Sequence, residues 1–358
     1  MTFRPLESID TPFLCVDPVV LERNLARRAE HARTAGLALR PHAKTHKCLE
    51  IARRQIDSGA IGLTVATIGE AEVFAHAGFD DLFIAYPLWL TDVKARRLRS
   101  IAESARLTLA VDSAAGAERL AEALGNTANS VEVLIEVDSG HHRTGVAPAD
   151  AGVVARAAAE AALRVTGVFT FPGHGYAPGD RATAADGESR ALAAAADELR
   201  SAGIEPVIRS GGSTPTVADA DAGVLTEIRP GVYPFNDAQQ IELGSCDFDD
   251  IALTAIGTVV HRRGQVAVLD TGSKILGADK AAWATGFGRI ADDPQARMTA
   301  LSEHHATVEF SGPAPDLGSR VRVIPNHVCN AVNLVDELVV DQADGPTTWT
   351  VAARGANT

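Results

Sequence analysis

Short apolar runs alternate with longer helical segments from about residue 37 to residue 235, and this alternation limits the possible folds more than any other feature. Amphipathic helices are predicted between most of the runs, in stretches rich in Ala, Leu, Glu and Arg. Such alternation indicates parallel β/α units, and eight units predict a closed (β/α)8 barrel. An open doubly wound sheet would show the same local pattern, so the number of units favours the barrel. The predicted strands are 37–44, 61–67, 81–87, 107–113, 131–138, 165–171, 206–210 and 224–231.

The pattern changes after residue 245, where strand-like segments follow one another with few helical segments between them. Their polar alternation is typical of antiparallel strands with one face in water. We therefore predict a barrel domain over residues 18–243 and a β-rich domain over residues 244–358, with residues 1–17 able to pack with the second domain. The predicted strands of this half are 251–262, 264–272, 304–312, 319–327, 337–342 and 348–355.

Charge and cysteine content narrow the choice of partners and compartment. The chain has 33 basic and 46 acidic residues, a net charge of −13, which disfavours nucleic acid and anionic membranes as partners. No apolar run reaches the length of a membrane span. The four cysteines lie far apart and form no CxxC pair, so we expect no disulfide framework and a cytoplasmic location.

A lysine near the end of the first predicted strand is the first candidate for catalysis. Arg40, His42 and Lys44 alternate with period two, so on a strand they share one face. If that face lines the barrel, Lys44 stands at the carboxyl-terminal mouth, where its amine can form a Schiff base. On spacing alone, a surface lysine just beyond a strand is the simpler interpretation. Lys47 is a nearby competitor, placed on the other face or at the start of the next helix.

Two segments carry a resemblance to a known family. RPHAKTHK (40–47), which follows TPFLCVDPVVLERNL (11–25), resembles the opening of fold-type III, alanine-racemase-like enzymes that use pyridoxal 5'-phosphate (PLP). Within that group the chain is similar, over nearly its whole length, to the D-serine dehydratase and D-threonine aldolase family. The resemblance implies that Lys44 carries PLP. It also implies a homodimer.

Two glycine-containing loops are candidates for the phosphate of the cofactor. SGGSTPT (210–216) follows the seventh predicted strand and RPGVY (229–233) ends the eighth, the positions at which barrels commonly bind phosphate. Glycine lets backbone N–H groups approach an anion, and hydroxyl groups add donors. Each loop alone also fits a simple tight turn. The resemblance implies five contacts, namely Gly212, Ser213, Thr214, Gly231 and Val232.

Two further loops are expected to surround the cofactor ring. EVDSGHHRTGV (136–146) resembles the family segment whose arginine lies beside the phenolic oxygen of PLP, which implies that role for Arg143. GHGY (173–176) resembles the family's GHSY-type loop. It implies a catalytic role for His174 and a cofactor contact for Tyr176. Phe171 cannot form side-chain hydrogen bonds, and we assign it to packing only.

His327 and Cys329, in IPNHVCNAVNL (324–334), are the candidate metal ligands. They are two residues apart on a predicted strand, so their side chains should share a face. A neutral imidazole and a thiolate suit Zn²⁺, and two protein ligands leave open positions, as a catalytic ion requires. A chance HxC pair is the alternative. The resemblance implies a zinc-binding His-x-Cys pair in the dehydratases and His-x-Asp in the aldolases; Mn²⁺ and Mg²⁺ remain alternatives to zinc.

We therefore expect a lyase that eliminates water from D-3-hydroxy amino acids, such as D-serine or D-threo-3-hydroxyaspartate, to give a 2-oxo acid and ammonia. The alternative is a D-threonine-type aldolase that releases glycine and an aldehyde. A PLP-binding protein without catalysis is less favoured because of the β-rich half. A racemase is disfavoured because no tyrosine follows Tyr233. LSEHHA (301–306) departs from the family's LSEEHG at His304 and Ala306, which leaves the substrate side chain open.

Overall fold

The computed structural model describes residues 6–358; residues 1–5, part of the segment expected to pack with the β-rich domain, lie outside the described residues. The chain divides into two compact units, each assembled from separate stretches. We call residues 28–44, 52–231 and 356–358 the barrel unit, and residues 6–27, 45–51 and 232–355 the β unit. The continuous domain bounds of the sequence analysis, 18–243 and 244–358, stay a prediction.

The first regular elements are strand β1 (Phe13–Val16) and helix α1 (Pro18–Ala35). The helix begins where its sequence can satisfy the free amide groups, since the Asp17 carboxylate accepts the N–H groups of Val19 and Val20 at 2.9 and 3.0 Å. It ends before Gly36, whose φ of +71° is the left-handed conformation common just after helices.

Eight parallel strands form the sheet of the barrel unit, in the order β2-β9-β8-β7-β6-β5-β4-β3. An isolated parallel bridge between His42 and Thr64, with a hydrogen bond from the Ile61 N–H to the Leu39 carbonyl, joins the two ends. The predicted (β/α)8 fold is therefore confirmed. The strands are β2 (Ala38–Leu39), β3 (Leu63–Val65), β4 (Asp81–Pro87), β5 (Arg106–Val111), β6 (Glu132–Glu136), β7 (Arg164–Phe169), β8 (Ile208–Gly211) and β9 (Glu227–Ile228).

Helices connect most of these strands, as the sequence pattern predicts. Three of them begin at a hydroxyl residue, Thr67, Thr91 or Ser113, whose oxygen accepts the N–H three residues later. The helices from this part of the chain are α2 (Leu49–Asp57), α3 (Ile68–His76), α4 (Asp92–Ala102), α5 (Ala114–Leu124), α6 (Ala151–Glu160) and α7 (Arg181–Ser201).

The first strand is shorter than predicted. β2 ends at Leu39, and Lys44 lies in a 3-10 turn over Ala43–Thr45, so the prediction that Arg40, His42 and Lys44 share one strand face is wrong. Hydrogen bonds continue past Leu39, from the Arg40 N–H to the Ile228 carbonyl and from the His42 N–H to the Pro230 carbonyl, before the chain turns at Ala43–Thr45. Arg40 is instead buried, with its guanidinium 2.5 Å from Asp81 and 2.7 Å from Glu227.

The β unit contains a nine-stranded sheet that includes β1. Its pairing is antiparallel except between β1 and β16, which confirms the mainly antiparallel prediction. The remaining strands are β10 (Leu253–Arg263), β11 (Val266–Leu269), β12 (Gly288–Ile290), β13 (Arg297–Leu301), β14 (Ala306–Glu309), β15 (Arg320–Pro325), β16 (Glu337–Val340) and β17 (Thr347–Thr350). Three short helices belong to this unit: α8 (Ala238–Glu242), α9 (Ser273–Leu276) and α10 (Val328–Val332).

Within residues 6–358, no helix combines the length and the apolar character needed to cross a membrane. None of the four cysteines, all within the described residues, forms a disulfide.

Candidate active site

The ring of Phe171, two residues beyond the end of β7, is the centre of a cluster in the barrel unit. Lys44 Nζ lies 5.8 Å from the ring centre and Arg143 Cζ lies 5.0 Å from it. The His141 ring meets it edge to face at 5.6 Å, and Tyr176 lies 6.2 Å away. Three of the predicted site residues, Lys44, Arg143 and Tyr176, thus surround one aromatic ring. Sequence analysis assigned that ring to packing alone, which understates its position.

Backbone contacts at the end of β2 hold the segment that carries Lys44. The His42 N–H donates to the Pro230 carbonyl, and the Thr64 N–H donates to the Pro41 carbonyl at 2.8 Å. The Lys44 N–H points to the His42 ring nitrogen at 3.4 Å. Lys44 therefore lies just beyond the carboxyl end of a barrel strand, where barrel enzymes carry their reactive groups.

A pocket beside this cluster is lined by Glu136, Asp138, His141, Arg143 and Phe171. Burial raises the pKa of Glu136, although the Thr144 hydroxyl and the Arg143 charge oppose that effect. Burial and the neighbouring charges of Arg143 and His174 lower the pKa of His141. The neutral form of this imidazole is therefore favoured, and neutral imidazole can accept a proton.

His174 lies in a 3-10 helix over Gly173–Tyr176. Its Nδ1 atom is buried and has no hydrogen-bond partner among the described residues. Gly140 packs against the ring, since a Cβ at that position would lie 3.3 Å from His174 Cε1. A buried unpaired ring nitrogen is costly and is the kind of atom that a bound ligand satisfies.

The predicted phosphate loop follows β8 and is more internally bonded than expected. The Ser213 N–H and hydroxyl both contact the Thr216 hydroxyl, at 3.0 and 2.9 Å. Gly212 adopts a φ of +77°, and its N–H donates to Glu188 Oε1 at 2.7 Å. The amide expected to face a phosphate is thus engaged by a carboxyl group, whereas Ser213 and Thr214 are buried beside it.

Glu188, on α7, accepts the hydrogen bond from the Gly212 N–H. It is fully buried, and its second oxygen, Oε2, has no hydrogen-bond partner among the described residues. Burial raises the pKa of Glu188 to about 7, against the opposing effects of the Gly212 amide and the Arg229 charge. A carboxyl group with a raised pKa carries less negative charge near neutral pH, which weakens its repulsion of an anion bound to the adjacent loop.

The second predicted loop begins after β9. The Arg229 guanidinium donates to the Ser210 hydroxyl and to the Thr170 carbonyl, and so ties three strand ends of the barrel unit together. Gly231 is the last residue of this stretch of the barrel unit, and Val232, the next predicted contact, is buried in the core of the β unit.

The residues of the barrel unit fit PLP by three observations. The Lys44 amine and the Arg143 guanidinium both lie over the ring of Phe171. A buried ring nitrogen of His174 lacks a partner among residues 6–358. The buried hydroxyl residues Ser213 and Thr214 follow β8. The first of these groups would hold the imine carbon of the cofactor, the second would lie beside its pyridine ring, and the third would hold its phosphate.

A separate cavity of about 270 Å³ lies among the amino-terminal ends of β3 and β4 and the last turns of α2 and α3. None of the predicted site residues lines it. The amino-terminal face of a barrel usually serves stability rather than catalysis. The Phe171 cluster is therefore the better candidate.

The two predicted metal ligands of the β unit do not share a strand. β15 ends at Pro325, His327 is the N-cap residue of α10, and Cys329 lies in the first turn of that helix. The prediction of a common strand face is wrong because the Val328 N–H donates to Asp237 Oδ2 at 3.1 Å and starts a helix. The same Asp237 caps α8 through a 2.9 Å bond from the Gln240 N–H.

Both side chains have close partners within the β unit. His327 Nδ1 lies 2.5 Å from Asp279 Oδ2, and the Cys329 thiol donates to the Thr45 hydroxyl at 3.2 Å. Burial alone would lower the pKa of His327, but its interactions with Cys329 and Asp279 outweigh burial and raise the pKa to about 11. The same contact lowers the pKa of Asp279, against its burial.

An imidazole and a thiol that interact electrostatically fit a divalent metal by the chemistry of the donor set. No cluster of three or more His, Cys, Asp or Glu side chains within residues 6–358 has the geometry of a complete metal site. A two-ligand site with open positions agrees with a catalytic ion better than with a structural one.

A parallel (β/α)8 barrel with a lysine–arginine–aromatic cluster, followed by an antiparallel sheet, defines the class of alanine-racemase-like barrel enzymes. The chain belongs to the family of the alanine racemase N-terminal domain, whose model matches residues 16–238. The model of a putative serine dehydratase domain matches residues 252–340. The two matches fall on the barrel strands and on most of the later sheet.

Similar proteins carry both chemistries foreseen above. A D-threo-3-hydroxyaspartate dehydratase from Delftia sp. (strain HT23) is 31% identical, over 90% of this chain and 92% of its own. A D-threonine aldolase from Arthrobacter sp. is 33% identical, over 98% of this chain and 94% of its own. A solved structure of a D-threo-3-hydroxyaspartate dehydratase mutant in the metal-free form superposes with a TM-score of 0.89, at 30% identity, over 97% of this chain and 98% of the other.

Proposed function

We propose that this chain is a PLP- and metal-dependent lyase that eliminates water from D-3-hydroxy amino acids, such as D-serine or D-threo-3-hydroxyaspartate. The observation that carries the proposal is the placement of Lys44 and Arg143 over the single ring of Phe171. Family membership and the named relatives support the same chemistry.

Each residue of the cluster has a role that follows from its chemistry. Lys44 holds the cofactor through Nζ and, once released, moves the proton of the substrate Cα. Arg143 holds the phenolic oxygen as an anion. His174, with its unpaired Nδ1, is available for a polar group of the cofactor or substrate. Bound PLP supplies the sink for the electron pair left at Cα.

His327 and Cys329 would hold the divalent cation, with zinc favoured and Mn²⁺ or Mg²⁺ as alternatives. Such a cation supplies Lewis acidity toward an oxygen ligand, and hydroxide is a poor leaving group without that help. In the net reaction the Cα–H and Cβ–O bonds break, water leaves, and hydrolysis of the resulting enamine gives a 2-oxo acid and ammonia. D-Serine would give pyruvate.

A second candidate, a D-threonine-type aldolase, is supported by the 33% identity to the Arthrobacter protein. It would break the Cα–Cβ bond and release glycine and an aldehyde. Cys329 favours elimination, because the resemblance associates His-x-Cys with dehydratases and His-x-Asp with aldolases. A cytoplasmic location and a homodimer remain part of the proposal.

The test is product analysis of the protein loaded with PLP and zinc. It is incubated with D-serine, D-threonine and D-threo-3-hydroxyaspartate, with the L-enantiomers as controls. Ammonia and a 2-oxo acid in equal amounts, from the D-enantiomers only, are expected. Glycine and an aldehyde without ammonia would replace the proposal with the aldolase, and the absence of any product would contradict both.

A further inference from the structure

We propose that Asp279 is a positioning residue that directs His327 to bind the divalent cation through Nε2. This inference rests on the metal role given to His327 and Cys329 under the proposed function. It assigns a residue that neither the sequence pattern nor the family models single out. The observation behind it is the 2.5 Å separation of Asp279 Oδ2 and His327 Nδ1.

An imidazole ring offers two nitrogens, and the partner of one decides what the other can do. A carboxylate at Nδ1 keeps the proton there, which leaves the lone pair of Nε2 for a metal. The contact also fixes the rotation of the ring and raises its basicity as a ligand. Asp279 therefore selects both the coordinating atom and its direction.

Asp279 is itself held in place by the turn after α9. Gly277 ends that helix with a φ of +78°, which a residue with a side chain rarely adopts. A Cβ at Gly277 would lie 3.1 Å from Asn330 Cβ and 3.4 Å from Asp279 Oδ1. The glycine thus permits the close approach of this turn to α10, and the Asn330 side chain also bonds to Asp279.

The backbone around the two ligands is fixed by a different residue. Asp237 accepts the Val328 N–H and caps α8, and it is almost completely buried. The Asp279 side chain is 39% exposed, and its contact to α10 goes through side chains. Removing the Asp279 carboxyl group should therefore leave the helix in place and free the imidazole ring. A purely structural ion pair would instead affect stability without changing the metal-binding atom.

The first measurement is cobalt affinity. Protein loaded with PLP is stripped of metal with a chelator and titrated with Co²⁺, whose thiolate charge-transfer absorption reports coordination by Cys329. Asp279→Ala should bind Co²⁺ about 10- to 100-fold more weakly than the unmodified protein, with PLP content unchanged. Asp279→Asn keeps an acceptor oxygen and should lose less. Asp316→Ala, which removes a carboxylate exposed to 89% in the same unit, is the matched control and should bind as the unmodified protein does.

The second measurement is nitrogen NMR of the unmodified, zinc-loaded protein labelled at histidine. Zinc on Nε2 and a proton on Nδ1 of His327 are expected. Zinc on Nδ1 overturns the inference even if Asp279→Ala fails to fold, and so does an Asp279→Ala affinity within twofold of the unmodified protein. If the unmodified protein binds neither Co²⁺ nor Zn²⁺, the metal part of the proposed function fails as well. If it binds both ions normally and Asp279→Ala binds them equally well, only the inference about Asp279 fails.

Discussion

Lys44 Nζ lies 5.8 Å from the centre of the Phe171 ring, and Arg143 Cζ lies 5.0 Å from the centre of the same ring. Two cations beside one ring repel each other, but the negative face of the ring attracts both. The cluster therefore gathers positive charge at the carboxyl-terminal end of the barrel strands. Positive charge there suits a cofactor that carries a phosphate and a phenolate.

Replacement of Phe171 tests whether this ring organises the site. Phe171→Leu should raise the dissociation constant of PLP about 2- to 10-fold, because aromatic contacts contribute about 0.5–1.5 kcal/mol beyond their buried area. PLP titration by absorbance measures the change. Phe287→Leu is the matched control, since Lys280 Nζ lies 4.8 Å from that ring in the β unit. Equal effects of the two substitutions would contradict a special role for Phe171.

Glu188→Gln should stabilise the protein, and more so as the pH rises. The pKa of Glu188 is raised from 4.5 to about 7, so ionisation favours the unfolded state between these values. The stabilising effect of the neutral group is present below about pH 4.5 and is lost as the pH rises through about 7. Through this effect, the free energy of unfolding should fall by on the order of 3 kcal/mol at most. Urea unfolding of both proteins at about pH 5 and pH 8 measures it.

The free energy of unfolding of Glu188→Gln should exceed that of the unmodified protein by more at about pH 8 than at about pH 5. The amide oxygen of the new side chain can still accept the Gly212 N–H. Glu205→Gln, which changes an exposed carboxylate of the same unit, serves as the control. A stability difference between Glu188→Gln and the unmodified protein that is the same at both pH values would show that Glu188 is ionised in the folded protein.

Cys329→Ala should lower metal content and turnover together, because it removes one of two proposed ligands. PLP content should stay the same, since the cluster around Phe171 belongs to the barrel unit. Metal analysis, the PLP absorbance band and ammonia release are measured on one preparation. Cys246→Ala, which changes a second partly buried cysteine, is the control. Normal metal content in Cys329→Ala would remove this residue from the ligand set.

Arg40→Ala should destabilise the barrel unit by about 3–5 kcal/mol, because it leaves the carboxylates of Asp81 and Glu227 without their buried partner. Urea unfolding measures the loss. Arg33→Ala removes an exposed ion pair with Glu30 and should change stability little. Comparable losses in the two variants would show that the Arg40 network is not a principal source of stability.

Local sequence patterns predict the fold because each β/α unit carries its own alternation of apolar and helical residues. They fail at Lys44 and at His327, where a period of two suggests a strand. At Lys44 the chain leaves the strand in a 3-10 turn over Ala43–Thr45, and at the second site Asp237, 91 residues before Val328, accepts the first N–H of a helix. Contacts this distant in sequence leave no local signal.

The residues that sequence analysis missed share the same cause. Glu188 reaches the phosphate loop from 24 residues away, and Asp279 reaches His327 from 48 residues away. Phe171 was read correctly as apolar, but its use by two cations depends on loops after three different strands. Reactive residue types are visible in a sequence, whereas the residues that orient them appear only when the chain is folded.

Reductive trapping identifies the lysine that holds the cofactor. The protein loaded with PLP is treated with borohydride, digested, and its peptides are analysed by mass spectrometry. A phosphopyridoxyl group on Lys44 is expected, and the label should be lost in Lys44→Ala. A label on Lys47 or on any other lysine, with Lys44 unmodified, would contradict it.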